Sequence, residues 1–213
     1  SRANEYKKHT PLEHILARPD TYVGSVDPET ECQWIFNGTM MVQKSVRYVP
    51  GLYKIYDEIL VNAIDQTTMD KSIDAITIDI DKQNGSISIM NTGRGIPVEV
   101  HPEYQVYIPE LIFGELLTSS NYDDSVQRTT GGRNGYGGKL ANIFSKSFTV
   151  ETQDVQNGKH YIQTFSNNMR TKEKPKITKK KASKGFAKFT FVPDLDRFGL
   201  KELTDDMISL FQK

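Results

Sequence analysis

Ten residues, Thr130-Gly131-Gly132-Arg133-Asn134-Gly135-Tyr136-Gly137-Gly138-Lys139, carry five glycines and end on a lysine. Neither a helix nor a strand runs comfortably through such a stretch, because each glycine in an element interior costs roughly 0.5–1 kcal/mol relative to alanine. The chain must loop here, and its backbone can take conformations and approach distances closed to other residues. Successive exposed N–H groups in a loop form an anion-binding nest. Leu140, Ala141, Ile143 and Phe144 follow and read as the first turns of a helix. A helix N-terminus adds unpaired N–H groups and its positive dipole end. The stretch therefore reads as a phosphate-binding loop with Lys139 as a point charge. A plain glycine loop is the alternative.

The common phosphate templates do not fit. A Walker loop ends Gly-Lys-Ser/Thr; here Leu140 follows Gly138-Lys139, and Arg133 stands at the first glycine. The pattern Gly-x-Gly-x-x-Gly begins at Gly135-Tyr136-Gly137 but meets Leu140 at its last glycine. Any phosphate site must draw its other parts from elsewhere in the chain.

The second informative stretch follows Pro50-Gly51. Leu52, Ile55, Tyr56, Ile59, Leu60, Ala63 and Ile64 recur at helical spacing and define one apolar stripe. Glu58 and Asn62, four residues apart, fall together beside one edge of it, with Gln66 a turn further on and Asp57 on the opposite flank. A carboxylate and an amide at that spacing project to one spot at a groove margin. An ordinary amphipathic helix with polar flanks gives the same pattern.

Around these stretches the chain reads as alternating helices and strands. Thr10-Pro11-Leu12-Glu13 is a capped helix start that should stop near Arg18, before Pro19. Asp20 to Ser25 reads as loop or short strand, and residues 27–50 as weak strands about a turn at Asn37-Gly38. Ala75 to Ile80 and Ser86 to Met90 form a hairpin through Asn84-Gly85. The second strand ends at Asn91-Thr92-Gly93-Arg94-Gly95, where spaced glycines let backbone pass close to a flat ligand. Pro109 to Leu117 reads as a helix, followed by the hydroxyl-rich Thr118-Ser119-Ser120-Asn121-Tyr122 and a polar segment, 123–129, suited to a hinged lid. Ser147–Gln153 and Lys159–Phe165 read as strands about Asn157-Gly158, and Gly185–Val192 as another with Phe186, Phe189 and Phe191. The lysine run 172–184 reads as a solvated hairpin tip, with nucleic-acid contact as the second reading. Residues 200–211 read as a last helix with Leu200, Leu203, Met207 and Leu210 inward.

Composition narrows the class. A 213-residue chain, 37% hydrophobic and 25% charged, suits one domain with at most a small extension. Net charge is zero, so bulk charge gives no case for nucleic acid. One cysteine, Cys32, excludes an internal disulfide. No apolar run approaches the ~20 residues of a membrane span.

Four pieces now stand in order: Glu58-x3-Asn62, Asn91-x-Gly93-x-Gly95, Ser119-Ser120-Asn121, and Gly131 to Lys139. Their order and spacing resemble the ATP site of the GHKL superfamily, which shares the Bergerat fold. The segments Leu12–Leu16, Arg18–Tyr22, Asp57–Ala63, Leu117–Asp124 and Gly131–Gly137 resemble, more narrowly, the N-terminal ATPase domain of eukaryotic type II DNA topoisomerases. The resemblance covers nearly the whole chain. It implies an α+β, two-layer α/β sandwich with a mixed sheet covered by helices on one face. It also implies an arm over residues 1–9 and an ATP-binding domain over 10–213.

The resemblance further implies roles. Glu58 would be the general base that activates water, and Asn62 would hold Mg2+ on the phosphates. Asn91 would meet the adenine amino group, with Ile96, Phe113 and Thr190 lining that pocket. Thr118, Ser119, Ser120 and Asn121 would bind ribose and phosphate. Gly132, Arg133, Asn134, Gly135, Tyr136, Gly137, Gly138 and Lys139 would wrap the triphosphate. Tyr6 would reach the nucleotide of a partner subunit when ATP closes a homodimer. Double-stranded DNA would be the partner of the full-length enzyme, in the nucleus, with no membrane. Gln66 stands where the family usually has asparagine, which alters the reach of that nucleotide contact. Nothing here resembles the family's second domain, which supplies a lysine to the γ-phosphate, so the chain reads as a fragment. Mismatch-repair-type ATPases, heat-shock-type chaperones and histidine kinases are the other GHKL readings. None of His9, His14, His101 and His160 sits in a recognisable phospho-acceptor helix, which disfavours the last.

Overall fold

The computed structural model describes residues 9–116 and 137–213. Helix α1, Pro11–Ala17, starts where the capping box predicts: Thr10 Oγ1 accepts from the Glu13 N–H at 3.2 Å, and Glu13 Oε2 accepts from the Thr10 N–H at 2.8 Å. It ends before Pro19. The next residues are not loop or strand but a one-turn helix, α2, Pro19–Tyr22, with proline at its first position and Val23 N–H closing on the Pro19 carbonyl at 2.8 Å. Strands β1, Glu29–Phe36, and β2, Met41–Tyr48, form a separate antiparallel hairpin. Asn37 builds its turn by accepting from the N–H groups of Thr39 and Met40, both at 3.0 Å.

The 20-residue helix α3, Pro50–Met69, is the spine of the molecule. Leu52, Ile55, Tyr56, Ile59 and Ala63 are fully buried, as their spacing requires. Ile64 departs from the expected stripe at 47% exposed, because it is turned about 100° from Ala63. The stripe packs on the main sheet, built from β3 (Ile76–Asp81), β4 (Ser86–Gly93), β5 (Ser145–Asp154), β6 (Lys159–Ser166), β7 (Thr171–Lys172), β8 (Lys176–Lys179) and β9 (Gly185–Pro193). The order is β3-β4-β9-β5-β6-β7, with β8 also on β6.

Every pairing among these strands is antiparallel, which corrects the expectation of a mixed sheet. The reason is topological. β4 and β5 both run antiparallel to β9 and so point the same way, but β9 lies between them and no parallel ladder forms.

Helices α4, Ile108–Gly114, and α5, Gly137–Ile143, join α3 on one face of the sheet. Ile87, Ile89, Phe148, Val150, Ala187, Phe189 and Phe191 face them in the shared core. The arrangement is the expected two-layer α+β sandwich. The final helix begins later than predicted. Leu195–Phe198 is a 3-10 turn closed by Gly199 in the left-handed region, and α6 spans only Asp205–Phe211 behind a Thr204 cap. It joins the hairpin to α3: Leu210 packs with Ile35 and Val46, and Tyr56 donates to the Phe211 carbonyl at 2.8 Å.

Candidate active site

Glu58 and Asn62 lie one turn apart on α3, both partly buried. Lys54, a turn earlier, pairs with Glu58 Oε1 and steadies that carboxylate. Asp57 keeps to the other flank, where burial pushes its carboxyl above the usual range; Lys54 opposes the shift and Glu58 adds to it.

The end of the glycine stretch arrives on this same spot. A Cβ on Gly137 would overlap Glu58 Oε2. A Cβ on Gly138 would lie 2.6 Å from Phe113 Cε1 and 3.7 Å from Asn62 Nδ2. Only glycine lets the first turn of α5 close on α3 and α4 together. The two sequence features that stood about seventy residues apart thus meet at one place.

Phe113 stands behind Gly138 as core: it is 5% exposed, its ring 4.6 Å from Phe189 and 6.1 Å from Phe148. Asn142 fixes the same corner by donating to the Phe113 carbonyl at 2.9 Å. Lys139 is 7% exposed. Burial lowers its pKa to about 8, with the Glu115 carboxylate pulling the other way.

Asn91 lies two residues before the end of β4, on the helix-covered face, 5% exposed. Its Nδ2 donates to the Thr92 carbonyl at 2.9 Å, and its Oδ1 is hydrogen-bonded to none of the described residues. The segment after it is clamped at both sides. Asp70, which caps the end of α3, accepts from the Arg94 N–H at 2.8 Å. Gly93, at φ +127°, has no room for a side chain beside Asp70 and Ile73. On the other side Ile96 N–H donates to Thr152 Oγ1, and Val98 N–H to Asp154 Oδ2, each at 2.8 Å. Gly95, at φ +79°, lies against the Gln153 carbonyl. The spaced glycines are thus a real close approach, between the end of α3 and the end of β5.

Thr190 does not belong to this pocket. It pairs with Ser88 on β4 and Thr149 on β5, in a hydroxyl row on the sheet face away from the helices. Side chains alternate along a strand, so Thr190 and the buried Phe189 and Phe191 point to opposite faces. The β9 residue directly across from Asn91 is Ala187, with Thr152 next in the same row. The sequence carries the signal: Ala187 is two residues from Phe189 and so shares its face. Thr152 could be found only from the sheet register.

Gln66 lies on α3 one turn beyond Asn62, partly buried. Tyr6, Thr118, Ser119, Ser120, Asn121, Gly132, Arg133, Asn134, Gly135 and Tyr136, with the lid of 123–129, lie outside the described residues. Among the described residues no group of three or more His, Cys, Asp or Glu could hold a metal ion, and no helix is long and apolar enough to cross a membrane.

A helix-backed antiparallel sheet, with a Glu/Asn pair on its main helix, a glycine-rich turn closing on that pair and a buried asparagine at a strand end, defines a nucleotide-binding ATPase architecture. Residues 48–197 match the family described as histidine kinase-, DNA gyrase B-, and HSP90-like ATPase, and the chain belongs to that family. It is 56% identical over 208 residues to DNA topoisomerase 2 of Pisum sativum, covering 98% of this chain and 14% of that protein. With DNA topoisomerase 2 of Saccharomyces cerevisiae it is 49% identical over 215 residues, 100% of this chain and 15% of that one. The chain thus spans a small part of the length of the curated relatives it matches. Among solved structures, the ATPase region of Saccharomyces cerevisiae topoisomerase II superposes with a TM-score of 0.91 at 50% identity, covering 99% of this chain and 56% of that one. The ATPase domain of Thermus thermophilus gyrase B shares the fold, with a TM-score of 0.65 at 24% identity over 92% of this chain and 43% of that one.

Proposed function

We propose that this chain binds ATP in the cleft between α3, the glycine stretch and the end of β4, and hydrolyses it with Glu58 as general base. The observation that carries the reading is the seating of Gly137 and Gly138 on Glu58 and Asn62. It sets the end of a phosphate-binding loop beside a carboxylate that can take a proton from water. Phosphoryl transfer needs positioning and charge neutralisation more than covalent chemistry from the protein. Asn91 Oδ1 would accept from an adenine amino group; Ala187 lies across from Asn91 on β9, Thr152 follows in the same row, and the Ile96 N–H donates to Thr152.

Mg2+ fits this donor set. The ion usually takes one or two protein ligands and completes its shell with phosphate and water. Asn62 would hold it, and when bound it would neutralise phosphate charge. Lys54 keeps the Glu58 carboxylate oriented. Gln66 extends the polar edge of α3 towards the nucleotide. Thr118 to Asn121 and Gly132 to Tyr136 would supply further nucleotide contacts, and Lys139 would take a share of the phosphate charge.

The relatives extend the reading. Residues 10–213 act as the ATPase domain of a type II DNA topoisomerase, working in the nucleus on double-stranded DNA. ATP there closes a homodimer to which the arm of residues 1–9, with Tyr6, contributes. Calorimetric titration of this chain with a non-hydrolysable ATP analogue, at increasing Mg2+, tests the site. Affinity should rise with Mg2+ in the wild type and lose that dependence in Asn62→Ala. A wild-type affinity indifferent to Mg2+ removes Asn62 as a metal ligand.

A further inference from the structure

The seven lysines between 172 and 184 have a use that the ATP site does not absorb. From Lys174 to Pro193 the chain carries seven lysines and no acidic residue, although the whole molecule has no net charge. The run forms neither a loose tip nor a balanced surface. It folds back as β7 and β8 on the outer edge of β6.

Its ends are neutralised: Lys172 pairs with Glu110 and Glu115, and Lys184 with Asp74. Between them Lys174, Lys176, Lys179, Lys180 and Lys181 are exposed, and none is paired with a carboxylate among the described residues. Lys179 stands directly across from another lysine, Lys159, where like charges are destabilising. Lys180 and Lys181 continue the cluster around the β5–β6 turn: the Lys180 N–H donates to the Gly158 carbonyl at 2.8 Å, and Lys181 lies against Gly158. The acids of that corner are engaged elsewhere. Asp154 accepts from Val98 and Asn157, and Glu99 accepts from Asn157.

We infer that this edge, centred on the exposed Lys179, Lys180 and Lys181, docks the phosphate backbone of duplex DNA; Lys159 beneath them is half-buried, its Nζ donating to the Val98 carbonyl at 3.2 Å. Strand spacing of about 3.3 Å per residue sets Lys176 and Lys179 roughly 10 Å apart along the edge, one on each face of β8, so the charge lies along the edge and not on one face of the sheet. One DNA strand presents about three phosphate steps over that length. A row of such charges reads backbone and not sequence. The segment 172–184 has no aromatic residue on which an unpaired base could stack, so a single strand has no platform here. It has one isoleucine, Ile177, and no apolar face to enter a lipid surface. The inference does not rest on the ATP reading and can fail without it.

Fluorescence anisotropy of a short labelled DNA duplex, titrated with this chain at salt from about 50 to about 200 mM, tests the edge. The wild type should bind with a steep salt dependence. Lys179→Ala/Lys180→Ala/Lys181→Ala should weaken binding about tenfold or more at low salt and flatten the log–log slope by about 3. The triple arginine variant should keep both. A control triple, Lys44→Ala/Lys71→Ala/Lys82→Ala, removes equal charge from other surfaces and should change little. Unchanged melting temperatures show that the variants are folded. The proposal is overturned by an absence of binding, by equal losses in the two alanine triples, or by anionic vesicles capturing the chain as tightly as duplex at the same salt.

Discussion

A methyl group at Gly137 would displace the Glu58 carboxylate, because a Cβ there overlaps Glu58 Oε2. The end of the glycine stretch and α3 are therefore fitted to each other at this contact, which can be probed apart from folding. The nearest obstacle to a Cβ is the far end of a flexible side chain, so Gly137→Ala should shift Glu58 more than it unfolds the chain. A displacement of this kind can cost up to about a hundredfold in rate. We expect ATP turnover to fall by at least about tenfold with the melting temperature little changed, and Glu58→Gln/Gly137→Ala to be no slower than Glu58→Gln alone. Additive losses in the double variant would separate the two residues.

Gly95 poses the opposite case. Its obstacle is the backbone carbonyl of Gln153, which cannot swing away, and its φ is +79°. Gly95→Ala should destabilise by about 3 kcal/mol or more in urea unfolding, from left-handed strain and overpacking together. Gly85, at φ +64° with nothing within 4 Å, supplies the comparison. Gly85→Ala should cost only the strain, about 1–2 kcal/mol. Equal losses would mean that the close approach at Gly95 is relieved by movement of β5.

Asn91→Ala should reduce the preference for ATP over GTP, because a polar group meeting the base edge supplies discrimination. Competition of the two nucleotides for a fluorescent analogue measures it. Unchanged selectivity would place the base elsewhere.

Nucleotide binding should depend on pH through Lys139. Its pKa in the fold, about 8, lies below the ordinary value of 10.5. The folded state therefore disfavours the charged form. That penalty is fully present below about 8 and fades as pH rises towards 10.5, so this residue's share of stability improves across the window. A bound phosphate reverses the preference by favouring the cation. At a pH about one unit above the folded value, ATP binding should take up a fraction of a proton, read by calorimetry in buffers of different ionisation enthalpy. Lys139→Met should abolish the uptake. No uptake in the wild type would place Lys139 away from the phosphates.

Local chemistry was the legible part of this fold. The Thr10–Glu13 capping box and the turns at Asn37-Gly38, Asn84-Gly85 and Asn157-Gly158 each depend on residues within a few positions, and each stands where the sequence puts it. The α3 stripe was readable because twenty residues give the helical period room to show. What could not be read depends on distant partners. The insertion of β9 between β4 and β5 decides that the sheet is antiparallel, and no short stretch encodes it. The late start of α6 follows from the turn at Gly199 and the cap at Thr204. Thr190 faces away from the pocket because β9 alternates, with Phe189 and Phe191 inward, and Ala187, across from Asn91, is a small apolar residue that announces nothing by itself.

If Glu58 takes a proton from water and has no part in holding the fold together, its amide variant separates binding from turnover. Nucleotide affinity and steady-state phosphate release are compared for wild-type chain and Glu58→Gln, which keeps the shape and removes the base. Mg-ATP affinity should stay within a few-fold while hydrolysis slows by about 10²–10⁴, the range for a lost acid–base group. Hydrolysis unchanged, or affinity and hydrolysis falling together by similar factors, would remove Glu58 as the general base.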